Sequence, residues 1–203
     1  MRRRSVRNDS AALRERLAQE SARLMIEHGI VDFGLAKRKA AERLAVRALG
    51  ALPSNAQIEQ CLAERQRIFE PHAHGERVND LRRIAARIME LLAHFEPRLV
   101  GAVLAGTATI NAAIELHVFS DTPEPVAGVL DEYAIGYGAY ERRYRYNRHR
   151  SGMIPGFSFV HDAQRVVVLV FPENGLREAP LSPIDGRPMQ RASRAKVAEL
   201  LRV

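Results

Sequence analysis

Up to Phe95 the apolar residues of this chain recur at spacings of three, four and seven. Beyond Pro97 they come in short β-branched and aromatic runs cut by Gly and Pro. The first spacing is one face of an α-helix and the second that of buried strands, so the pattern predicts an α+β protein, helices first and a small mixed sheet after them. Leu13, Leu17, Leu24 and Met25 place a helix over Asp9 to His28, stopped by Gly29, and Leu35, Ala40 and Leu44 place another over Leu35 to Val46, ended by a loop at Gly50 to Pro53. Ser54 with Gln57 three residues on has the form of a capping box. It opens a helix through Phe69 that carries Ile58, Cys61, Leu62 and Ile68 on or near one side, and Pro71 closes it. After a turn-like His72 to Gly75, the stripe Val78, Leu81, Ile84, Ile88, Leu91 and Leu92 predicts a fourth helix that ends near Phe95.

In the second half, Leu99 to Leu104 and Ile114 to Phe119 read as neighbouring strands joined through Gly106 to Ala113. Asp121 to Pro125 is expected to cap a helix over Glu124 to Ala134. Tyr140 to Tyr146, Phe157 to Val160 and Val166 to Phe171 are further strands, the last two joined by a turn near Asp162. A tail rich in Pro180, Pro183, Gly186 and Pro188 is too constrained for a floppy linker and leads into a short helix over Ala192 to Leu201. The organisation that follows is a helical region over residues 1–75 and an α/β domain over residues 76–203.

Composition narrows the function classes. The longest uncharged stretch, Leu99 to Ile114, holds Thr107, Thr109 and Asn111 and is too short and too polar to span a bilayer, and the basic opening lacks an apolar signal run, so a cytoplasmic protein is expected. With Cys61 as its single cysteine, the chain has no internal disulfide framework and no site built on several thiolates; Cys61 is expected as a small core hydrophobe. No phosphate-binding Gly-x-x-x-x-Gly-Lys loop, Gly-x-Ser-x-Gly elbow or His-Glu-x-x-His helix is present. A net charge of +7, nearly all of it on arginine, favours an anionic partner. The basic surplus is held by residues 1–50 and by Tyr140 to Arg150.

Leu104-Ala-Gly-Thr107 followed by Ile114-Glu-Leu-His-Val-Phe119 resembles the signature of the bacterial nucleotidyltransferase fold, in which a strand ends in Gly-Ser or Gly-Thr and the next opens with Asp-x-Asp. The resemblance covers about residues 80–172 and implies nucleotidyl transfer with Mg²⁺. Gly106 and Thr107 would hold the nucleotide phosphates, and Glu115 would be the catalytic carboxylate and metal ligand. The first metal position of the family falls on Ala113, and the third on the strand Val166 to Phe171 at Val167, so Glu115 is the carboxylate that remains. Hard cations need several oxygen ligands. The expectation is therefore a nucleotidyltransferase-like, nucleotide-binding protein whose catalysis is weak or lost. His117 shares the face of Glu115, either as a ligand or base or as an imidazole without chemistry.

Two basic surfaces offer other uses. The helices before Val46 are faintly like the opening of TetR-type regulators and would set Lys37, Arg38, Lys39 and Arg43 against DNA; the alternative is a scaffold role, packed on the sheet or forming a homo-oligomer surface. On the strand Tyr140 to Tyr146, Tyr140, Tyr144 and Tyr146 take one face and Arg143 and Arg145 the other. That pattern suits nucleic-acid stacking and phosphate neutralisation, or equally a half-buried strand with solvated arginines. Arg177 and Arg187 in the proline-rich tail are further candidate anion ligands.

Overall fold

A computed structural model of the chain describes residues 2–46, 52–69 and 71–202, with side chains from Ser10 onward apart from Pro71. The order of elements is α1 (Arg2–Glu27), α2 (Phe33–Arg43), α3 (Asn55–Phe69), α4 (Pro71–Leu91), β1 (Arg98–Val100), α5 (Gly101–Ala105), β2 (Ile114–Phe119), α6 (Glu124–Glu132), β3 (Tyr137–Arg145), β4 (Ser151–His161), β5 (Gln164–Phe171) and α7 (Arg194–Leu200). The α+β class is as expected. Contacts divide the chain into two compact units, one of residues 1–74 with 109–111 and 183–185, the other of the remainder.

In the first unit α1 packs on α2 and α3 through Leu17, Ala18, Ala22, Met25, Ala36, Ala40, Ile58 and Leu62. Asp32 caps α2 by accepting from Leu35 N at 2.6 Å, which starts the helix earlier than its apolar period suggests. The capping box of α3 forms in both directions: Gln57 N donates to Ser54 Oγ at 3.2 Å and Ser54 N to Gln57 Oε1 at 2.9 Å. Ile68, expected on the packed side, is exposed, and Gln66 is buried instead. Cys61 is free and half-buried, its thiol pushed up to about 11 by burial and by Glu15. Of the loop expected at residues 50–53, Gly50 and Ala51 lie outside the described residues.

Pro71 opens α4 rather than closing α3, and residues 72–75 are helical. The first turn of a helix needs no N–H from its opening residue and its fixed φ already suits the helix, so this proline is a start signal. The sheet of the second unit has the order β1-β2-β5-β4-β3, with β2 and β5 parallel and the other neighbours antiparallel. On one face Leu99, Leu116, Val118, Val166, Val168 and Phe157 pack under α4, α6 and α7 side chains such as Ile88, Met89, Leu130 and Val197. The opposite face carries Phe119, Tyr144, Ile154, Val167, Leu169 and Phe171.

Three elements depart from expectation for local reasons. The strand read at Leu99 to Leu104 stops at Val100, because Gly101 at φ +71 turns the chain into α5, which ends on Gly106 at φ +79. Helix α6 has Pro123 as its N-cap without a side-chain bond, while Asp121 accepts from Glu173 N at 3.3 Å. Strand β4 begins at Ser151, well before its apolar run, since it pairs along the whole of β3. Asp162 and Ala163, at φ +49 and +60, form the tight turn into β5. No helix among the described residues is long and apolar enough to cross a membrane.

Candidate functional site

Strand parity places Glu115 and His117 of β2 on the face away from α4. Register sets Val100 and Val167 beside Glu115, and Arg98 and Leu169 beside His117. Val167 thus lies next to Glu115, and Ala113 packs on the same face. Across the sheet, Tyr140, Arg142 and Tyr144 of β3 pair with Gly156, Ile154 and Gly152 of β4. A Cβ on Gly156 would stand 2.0 Å from the Val168 carbonyl oxygen, so glycine is required where β4 approaches β5.

Over this floor Arg142 reaches Glu115 and grips both its oxygens, Nη1 to Oε2 at 2.7 Å and Nη2 to Oε1 at 3.0 Å. The same guanidinium donates to Tyr140 Oη at 3.2 and 3.0 Å. With side-chain exposures of 31% and 21%, the pair is mostly withdrawn from water, where a bidentate fork is both strong and orienting. Gly101 closes the other side of the carboxylate; a Cβ there would lie 3.3 Å from Glu115 Oε2.

His117 is fully buried and both its nitrogens are engaged. Nδ1 accepts from Arg191 Nε at 3.1 Å; arginine can only donate, so the imidazole proton sits on Nε2 and is given to Tyr144 Oη at 3.1 Å. Burial, then the charges of Arg191 and Arg142, hold His117 well below its ordinary pKa, and it is neutral. Burial likewise pushes the Tyr144 phenol up. Arg191 arrives from the tail because Leu99 and Ala192 exchange backbone hydrogen bonds at 2.9 Å, which turns Ala192 to the helix-covered face and Arg191 to the other.

The sequence-predicted residues are thus only partly gathered. Gly106 ends α5 beside Arg82, whose guanidinium donates to the Val103 and Leu104 carbonyls, and Thr107 is buried with its N–H on Ala102 O. The glycine against Glu115 is Gly101, at the opposite end of α5. Arg145, Arg177 and Arg187 are exposed, and Arg143, also exposed, donates to Ser151 Oγ at 3.3 Å. Arg142 went unnoticed in the sequence although it shares the parity of Tyr140 and Tyr144; Arg191 had no signal there. Among the described residues no group of three or more His, Cys, Asp or Glu is placed to hold a metal ion. Two surface cavities lie elsewhere: about 380 Å³ lined by Glu96, Arg98, Ser193 and Arg194, and about 520 Å³ lined by Leu24, His28, Ile30, Lys39, Glu42 and Arg43.

Comparison of the chain with protein-family models, curated proteins and solved structures gives no match.

Proposed function

We propose that the chain is a nucleotidyltransferase-like protein that binds a nucleotide or a related anionic ligand on the Glu115 face of its sheet and has lost metal-dependent transfer. The observation that carries this is the occupation of Glu115. Its two oxygens are taken by Arg142, and its neighbours in the positions of the family's other carboxylates are Ala113 and Val167. A divalent cation would need several hard oxygen ligands, and a guanidinium already supplies fixed positive charge where the metal's would be. Arg142 and Arg191 against Glu115 leave the face cationic, which suits phosphate oxygens, and Tyr140 beside Arg142 offers a ring to stack on.

The test is thermal unfolding of the full chain with each of the four nucleoside triphosphates, in Mg²⁺ and in chelator, with Arg142→Met and Glu115→Ala alongside. A rise in Tm that is the same in both buffers and lost in Arg142→Met is expected. A rise that requires Mg²⁺ and disappears in Glu115→Ala would restore the metal site; no rise with any nucleotide would remove the nucleotide. Nucleic acid is the second reading, favoured by the exposure of Arg38, Lys39 and Arg43 on α2. Salt-sensitive retention of duplex DNA, weakened by Arg38→Ala with Lys39→Ala, would support it.

A further inference from the structure

Among the described residues Arg191, a partly buried cation, has no anion paired with it. Nε is spent on His117, and Nη1 on the carbonyls of Gly175 at 2.7 Å and Glu178 at 3.5 Å. Nη2 is buried and has no hydrogen-bond partner among the described residues. Its guanidinium carbon lies 5.1 Å from the Phe119 ring centroid and 5.0 Å from that of Phe171, so the cation is set on aromatic faces that hold it without neutralising it. Nearby carboxylates serve other arginines: Glu115 holds Arg142, Glu96 holds Arg98, and Glu178 holds Arg150. Burial lowers the pKa of Arg191, and the tyrosines that act on it, Tyr146 and Tyr144, are themselves neutral phenols held up by burial.

Buried charges are ordinarily paired, and buried N–H groups ordinarily find an acceptor. A guanidinium held in place by its bonds to His117, Gly175 and Glu178 and by two aromatic rings, with its third nitrogen unused, has the form of a built half-site. We infer that Arg191 anchors a phosphate group through Nη2, with Phe119 and Phe171 as its floor. The inference deepens the reading of this face as an anion site by naming the group that its second cation takes; it needs neither base nor sugar, and inorganic phosphate suffices as probe.

The full chain is unfolded thermally in a series of phosphate concentrations against chloride at matched ionic strength, with acetate as a carboxylate control, for the wild type, Arg191→Met, Arg191→Lys and the exposed-arginine control Arg67→Met on α3. A saturable rise of several degrees in phosphate, kept in Arg67→Met, reduced in Arg191→Lys and absent in Arg191→Met, is expected. The same rise in Arg191→Met as in wild type, or no rise in wild type beyond that of chloride, overturns the inference. Should Arg191→Met fail to fold, the Arg191 side-chain Nε–H resonance of the wild type decides, assigned by its loss in Arg191→Lys: it shifts with phosphate if the anchor is real and stays fixed if it is not. Titration of Arg142→Met separates the two readings. Loss of the triphosphate effect with retention of the phosphate effect leaves Arg191 standing, whereas a triphosphate effect without any phosphate effect leaves only the nucleotide site.

Discussion

His117 joins β2 to the tail through Arg191 and to β3 through Tyr144, and it can do so only as the neutral Nε2–H tautomer, since protonation would set an N–H against the Arg191 donor. Its folded pKa is depressed, so between that value and the ordinary one near 6.5 the unfolded chain binds a proton that the folded chain does not. The stability it contributes is fully present above about pH 6.5 and is lost as pH falls below it, at up to about 1.4 kcal/mol per pH unit. Denaturant unfolding of wild type and His117→Gln from pH 7.5 to 5 should give a shallower fall in the variant, whose amide accepts and donates in place of the ring. Parallel curves would remove His117 as the cause. The sequence placed His117 beside Glu115 by parity, but its complete burial follows from Phe171 at 4.3 Å and Tyr144 at 5.4 Å between ring centroids, partners contributed by other strands.

At the scale of elements, the sheet's glycines separate what was legible from what was not. The α3 capping box and the strands β2 and β5 were readable because their signals are local: a cap three residues from its partner, and continuous apolar runs. Strand β4 was read as a fragment, since Ser151, Gly152 and Gly156 carry no strand propensity and owe their conformation to pairing with β3. Gly156→Ala puts a methyl 2.0 Å from backbone that cannot retreat without breaking the β4–β5 ladder. A loss of about 3 kcal/mol is expected by chemical denaturation. Gly152→Ala, where a Cβ meets nothing within 4 Å, should cost much less, and equal losses would discount the contact.

For the molecule as a whole, the Arg142–Glu115 pair joins β3 at one edge of the sheet to β2 across β4 and β5. A mostly desolvated bidentate pair is worth more than a surface one, and a double-mutant cycle of Arg142→Met and Glu115→Gln should return a coupling of about 1–2 kcal/mol, measured by chemical denaturation. A coupling near zero would mean that solvent screens the pair. Residue periodicity by itself determined α1 to α4, α6 and α7, the α+β class and the strands that hold Glu115 and Val167, because each depends on neighbours a few positions away in the chain. Only the tertiary structure decided that Arg142 grips both oxygens of Glu115, that Gly101 and not Gly106 faces it, and that Arg191 comes from the tail to His117. Which side chains meet across a sheet is set by strand order, register and the path of the closing loop, and none of these is written in the spacing of any one segment.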